Sequence, residues 1–438
     1  MPFESRAPAA ASGCLQRGFQ RAGPDKAFVL PSPTDHPPPL SATNAPLSAA
    51  STPNLHMLAG RNYRCQCGQP IFFRNSKCLA CGTPLGYDPE CGALLPLKPG
   101  LEPGTWQAWD GSVACPSGTQ APPLYKNCAN AQTPARCNWL VPLDSALDMC
   151  RACRLNRTIP DLQNPQQPDN GYLWGLVEQA KRRLVSSLIL LKLPVASRIS
   201  EDPGRGLMFD FLRPPVGGGH VTTGHDAGLV TLNVDEADDA KREAVRTAMR
   251  EPYRTLLGHF RHEMGHYYWG RLLAGTTWME GFHQLFGDES ANYAASLKRY
   301  YEMGPAPDWP LHHVSAYASA HPWEDWAECW AHYLHMRDGM DTALSFGLGL
   351  ERYELEVTPF TLDQLYQPDD AQAGQFLDFL NHWTRLTTML NEMSRSMGLA
   401  DFYPFALPRE VVAKLHFIHL MVTSRYWLPE PDAPAQAL

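Results

Sequence analysis

No apolar run in this chain is long enough to span a bilayer, which takes about 20 predominantly apolar residues. The longest candidate, "LVSSLILLKLPV" from Leu184, is short and carries Lys192. The first residues lack a basic stretch followed by an apolar core, so no secretory signal is expected. The closing "PAQAL" holds no lipidation cysteine. The expectation is a cytoplasmic protein without membrane contact. Basic charge is also in short supply: 37 Lys and Arg face 45 Asp and Glu, a formal net charge of −8. That balance argues against nucleic acid as a general partner. The usual signatures of nucleotide chemistry and serine hydrolysis are missing too, with no Walker-type loop, no dinucleotide fingerprint and no GxSxG elbow.

What is present points to a folded, metal-rich protein. Hydrophobic residues make up 44% of 438 positions, enough for two or three cored domains. Twelve cysteines occur, and ten of them lie from Cys65 to Cys153. Without a secretory signal, such clustering argues for metal rather than disulfides.

Composition divides the chain into four parts. Residues 1–58 are rich in Pro, Ala and Ser, have no hydrophobic period, and are expected to be disordered. Residues 59–157 are rich in Cys, Gly and Pro and read as small loop-rich modules that need metal staples. Residues 158–171, "TIPDLQNPQQPDNG", read as a linker. Residues 172–428 read as a mostly helical domain with a small sheet, giving an α+β chain. In that domain "GLMFDFL" and "GLVTLNV" are expected as strands. Helices are expected over 289–301, 322–336, 371–394 and 409–425, with a further one carrying "FRHEMGHYYW" and Pro252 in its first turn.

Two cysteine sets have metal spacing. Cys65, Cys67, Cys78 and Cys81 form CxC, a gap of ten, then CxxC, and Gly68 and Gly82 follow the pairs where tight turns need backbone freedom. This is a zinc-ribbon pattern. Cys128, Cys137, Cys150 and Cys153 close with a second CxxC behind a wider opening pair, and form a weaker second candidate. Cys91 and Cys115 are spare or substitute for one of these, Cys14 sits in the tail, and Cys329 reads as a core residue. Arg151, Arg154 and Arg157 make a small basic cluster. Acids in the same region weigh against nucleic acid, so a ribbon-borne contact is expected with protein instead.

The stretch "HEMGH" supplies His262, Glu263 and His266. On a helix, residues four apart share a face, so both imidazoles can reach one zinc. Glu263 then lies beside the remaining position as general base for the attacking water. Two buried, hydrogen-bonded histidines on an ordinary helix would share the spacing. The bulky apolar flanks, and Gly265 at a cost of about 1 kcal/mol against Ala, ask for a stronger reason. His259, one turn before His262, reads as an ordinary core or surface histidine, with a supporting place beside the metal site as the alternative. His321 is either a cap or a substrate contact. "GLVTLNV", preceded by His225, is the candidate edge strand for an extended peptide.

A catalytic zinc usually has three protein ligands and a water. The position six after His266 is Leu272, so a third histidine there is excluded. Glu324 and Glu289 compete, with Asp325 a weaker candidate. Glu324 is favoured because it opens an amphipathic helix and shares its face with Glu328. Two half-buried carboxylates on one face repel unless a cation or imidazole lies between them.

"SAYASAHPWEDWAECW" resembles the gluzincin metallopeptidases. The resemblance implies that Glu324 binds zinc, Glu328 supports the site, and Tyr317, seven residues before Glu324, stabilises the oxyanion. Taken with "YRTLLGHFRHEMGHYYW", "LFGDESANYAASLKRYY" and "YRCQCGQPIFFRNSKCLACGTPLGYDPE", the chain from about 63 to 425 resembles a bacterial family of zinc-binding metallopeptidases with an N-terminal zinc ribbon. That implies one catalytic and one or two structural zinc ions, and a peptide or protein substrate. The competing expectation is a ribbon-bearing binding or regulatory protein whose central zinc is structural or idle.

Overall fold

The computed structural model describes residues 60–111, 124–249, 251–348 and 357–424. The Pro/Ala/Ser-rich segment, Cys14, Cys115 and residues 425–428 lie outside these. Among the described residues, no helix is long and apolar enough to cross a membrane.

The cysteine-rich region is built on strands. β1 (Tyr63–Arg64) and β2 (Pro70–Ile71) pair antiparallel, with Tyr63 opposite Ile71. The turn between them needs Gly68 at φ 82°, and Gly82, at φ 78°, plays the same part after the CxxC. β3 (Leu85–Asp88), β4 (Ala93–Pro99), β5 (Thr105–Ala108), β6 (Tyr125–Asn127) and β7 (Leu140–Pro142) form an antiparallel sheet in that order. The region thus holds more regular structure than its Gly and Pro content suggested.

Next come β8 (Asn156–Thr158), α1 (Asn170–Leu190), β9 (Met208–Leu212), β10 (Gly224–Asp226) and β11 (Leu229–Asn233). Their sheet has the order β10-β11-β9-β8, with β9 parallel to both neighbours. One expectation is corrected here. The segment "GLVTLNV" is not the edge, because β10 covers it in an antiparallel hairpin. Ala227 and Gly228 both take positive φ, 46° and 90°, as a two-residue hairpin turn demands. The edge strand on this side of the sheet is β10, which carries His225.

The helices are α2 (Asp239–Met249), α3 (Leu256–Tyr268), α4 (Trp278–Phe286), α5 (Tyr293–Met303), α6 (Trp309–His312), α7 (Pro322–Ser345), α8 (Ala373–Ser396) and α9 (Arg409–Thr423). α3 starts later than its expected Pro252 signal, because Thr255 caps it by accepting from Gly258 N–H at 3.0 Å. α5 starts four residues after Glu289, where Asn292 caps Ala295 at 3.0 Å.

α3 runs between the sheet and α7. Phe260 packs edge-on against Phe209 and Phe211 of β9, at 5.7 and 6.1 Å. On the other side Tyr268 stacks on Trp330 at 4.9 Å. One continuous buried cluster runs from Tyr87 and Trp139 through Val177 and Phe209 to Trp330 and Leu415. The cysteine region therefore shares its core with the helices, and β8, at its end, is a strand of the helical domain's sheet. A charged junction adds to this. Arg61, Arg183 and Arg261 all pair with Asp338 of α7, at 2.7–2.9 Å.

Candidate metal centre

His262 and His266 stand one turn apart on α3, and Glu324 opens the facing helix α7. Gly265 lets the helices meet: a Cβ there would lie 2.7 Å from Ala327 Cα. The Trp326 indole N–H then donates to Gly265 O at 2.8 Å. The reason for a glycine at this position is thus the close approach of α7.

The three side chains converge. His262 Nε2 lies 3.2 Å from His266 Nε2 and 3.0 Å from Glu324 Oε2. His266 Nε2 lies 3.6 Å from Glu324 Oε1. Zn–N and Zn–O bonds of about 2.0–2.2 Å in a tetrahedron give donor separations of about 3.3–3.6 Å. The observed values scatter about that range. Glu324 Oε2 is buried and has no hydrogen-bond partner, since the His262 approach is close without being a hydrogen bond. Acceptor atoms converging on one point, one of them orphaned, fit a cation. Among the described residues, this group of three and the two cysteine groups can hold a metal ion.

A supporting layer surrounds the three. His262 Nδ1 lies 2.8 Å from Glu328 Oε1, and Glu328 Oε2 accepts from Ser315 Oγ at 2.6 Å. Tyr293 of α5 donates to Glu324 Oε1 at 2.6 Å. Burial alone would raise the Glu324 carboxyl, but His262 and His266 outweigh it and hold it well below the usual range. Burial and the Glu324 charge push the Tyr293 and Tyr317 phenols up, so both keep their protons. The Tyr317 ring is tilted against His262 at 6.0 Å.

Glu263 is 4% exposed. Its Oε1 lies 3.3 Å from His259 Nε2, and its Oε2 is buried without a partner. Burial opposes its charge, yet His259 keeps it ionised. His259 in turn bonds Glu236 at 2.6 Å through Nδ1. Burial opposes the His259 charge as well, but Glu236 and Glu263 outweigh it and push it up to about 9.

The competing acid, Glu289, is elsewhere, paired with the exposed His283 at 2.5 Å. Asp325 points away and binds Lys414 Nζ at 2.7 Å. His321 is a cap: its Nδ1 accepts from Trp323 N–H at 3.1 Å, and its Nε2 lies 3.0 Å from Ala291 O. His225 accepts from Gly228 N–H at 2.9 Å, and burial beside His266 pushes it down to about 4.

Both cysteine groups close up. Cys65 and Cys81 are 3.6 Å apart, and Cys67 and Cys78 are 3.8 Å apart. Zn–S bonds of about 2.3 Å give tetrahedral edges of about 3.8 Å. Cys137 and Cys150 are 3.6 Å apart in the second group, which is wholly buried. Cys91 joins neither group; it is buried and disulfide-bonded. The basic cluster is neutralised, Arg151 by Glu90, Arg154 by Glu201 and Arg157 by Asp210.

Residues 170–421 match the family described as "Putative zinc-binding metallo-peptidase". The chain belongs to that family. Ahead of the metallopeptidase match, residues 62–164 match a zinc-ribbon domain. Uncharacterized proteins of Mycobacterium tuberculosis and Mycobacterium bovis are each 40% identical over 366 residues, covering 83% of this metallopeptidase-family chain and 95% of the relative. No solved structure matches.

The sequence carried no sign of the contacts made by Tyr293, Ser315 and Glu236 around these side chains. Tyr293 and Ser315 stand 31 and 13 positions from the carboxylates they touch, and Glu236 stands 23 from His259. No local spacing links such pairs. His259 had a usable signal, since it lies four residues before Glu263 on the same helix.

Proposed function

We propose that the protein is a gluzincin-like zinc peptidase that hydrolyses peptide bonds. The observation that carries this is the buried, unpartnered Glu263 Oε2 beside three converging donors, on His262, His266 and Glu324. These three would hold the zinc, and three protein ligands is the number found in catalytic sites. Bound there, zinc supplies carbonyl polarisation and a nucleophile at neutral pH. Glu263 Oε2 takes the proton of the attacking water and delivers it to the leaving amine nitrogen as the C–N bond breaks. His259 holds the other oxygen of Glu263, which fixes the carboxylate and keeps it ionised. Tyr317, protonated and beside His262, donates to the developing oxyanion. Tyr293 and Glu328 are positioning residues, one holding Glu324 and the other His262. The cysteine groups would hold one or two structural zinc ions. The regulatory reading would favour a fourth protein ligand, and among the described residues only three donors meet.

The test pairs zinc content, by mass spectrometry, with cleavage of a mixed peptide library. Wild type is expected to hold two to three zinc ions and to cleave. Glu324→Ala is expected to hold one fewer and to be inactive. Glu263→Gln is expected to keep its zinc and lose about 100-fold or more in rate. Unchanged zinc in Glu324→Ala, or an active Glu263→Gln, would refute this assignment.

A further inference from the structure

A cavity of about 360 Å³ lies away from the metal centre, where β1, the loop after β2, α1 and the end of α7 meet. Glu324 and Asp338 are fourteen residues apart on α7, so roughly 20 Å of helix separates this place from the metal centre. Arg61 and Arg183 line the cavity, Arg74 stands at its rim, and Phe72, Phe73 and Phe346 form apolar walls. Among the described residues, no acidic one lines it.

Among the described residues, the charge behind the cavity does not balance. Arg61, Arg183 and Arg261 share the single carboxylate of Asp338. Among the described residues, Arg74 adds a fourth guanidinium against that one carboxylate. The end of α7 adds only about half a negative charge. Arg61 is 5% exposed, and its Nε is buried without a partner. Buried surplus charge is costly unless an anion meets it. The walls are apolar and open: Phe72 is 60% exposed and Phe346 50%. Arg183 already lies over the Phe73 ring at 5.6 Å. The Gln179 carboxamide, which accepts from Arg74 at 3.1 Å, stands on the wall as a group able to meet a backbone amide.

We propose that this cleft binds the C-terminal carboxylate of a peptide whose last side chain is bulky and apolar. The guanidiniums meet the carboxylate, the phenylalanines take the side chain, and Gln179 serves the adjoining amide. This is a docking site separate from the hydrolytic centre. The choice of a peptide rests on the peptidase reading, whereas the carboxylate preference rests on the charge alone.

The experiment uses full-length Glu263→Gln protein, so that no probe is cleaved, and fluorescence anisotropy of a labelled peptide ending in Ala-Phe. Amidating its C-terminus is expected to weaken binding about 10-fold or more. Phe72→Ala, at an exposed position, is expected to weaken binding several-fold and to leave thermal unfolding unchanged. Arg74→Ala gives a second readout at the rim. Equal binding of acid and amide, or no effect of either variant, would overturn the proposal. So would displacement by a mononucleotide at lower concentration than by N-acetylphenylalanine, which would assign the cleft to phosphate. Cleavage by wild type is scored separately, so failure of this site and failure of the peptidase reading give different results.

Discussion

Gly265→Ala is a sharp test of how the two helices that carry the proposed ligands are held. The new Cβ would sit 2.7 Å from Ala327 Cα, 3.1 Å from Ala327 Cβ and 3.2 Å from Trp330 Cβ. Carbon atoms rest at about 3.5–4.0 Å, so α7 would have to retreat by about 1 Å. The nearest atom is backbone, and no side-chain rotation relieves it. Overpacking of this kind costs about 1–3 kcal/mol, against a helix-propensity gain of about 1 kcal/mol. Global stability should therefore fall only modestly. The metal centre should suffer more. His266 directly follows Gly265, and Glu324 lies one turn before Ala327. Ligand distances tolerate about 0.2 Å, much less than the displacement. Chelator competition should show zinc affinity at this centre reduced about 10-fold or more, with the cysteine-bound zinc unaffected. Gly270→Ala is the control, because a Cβ there meets nothing within 4 Å. Zinc affinity and unfolding both at wild-type values in Gly265→Ala would refute the close-approach argument.

Three further outcomes are expected. Tyr293→Phe removes the donor to Glu324 and should weaken zinc binding about 10-fold while leaving the fold intact, as read by chelator competition and circular dichroism. Asp338→Asn takes the shared counter-charge from three arginines and should cost about 3–5 kcal/mol in urea unfolding; a loss below 1 kcal/mol would show that water already screens the cluster. Burial pushes His332 and His416 down to about 4, so both are neutral in the fold at pH 7. The unfolded chain binds their protons near pH 6.5, so their stabilisation is complete above that value and drains as pH falls toward 4. Moving from pH 7.5 to 5.5 should remove about 1 kcal/mol per histidine, and His332→Gln should flatten the slope in denaturant titrations.

The sequence by itself determined whatever one element carries. His262, Glu263 and His266 sit within five residues, so helical geometry alone aligns them. Helix α7 begins at Pro322 as its signals indicated, and the first cysteine module follows from its turn glycines. The choice of Glu324 over Glu289 also had a local basis, in the shared face with Glu328. Tertiary structure decided everything that depends on contacts between distant segments. Which strand forms the sheet edge depended on a hairpin turn. The contacts of Tyr293, Ser315 and Glu236 depended on α5, the loop before α7 and the turn after β11 being brought to one place. The sharing of one core by the cysteine region and the helices, and the gathering of three arginines on Asp338, join residues up to 277 positions apart. Such contacts leave no period or spacing in the chain, because they arise from packing between elements and not from the geometry of any one of them.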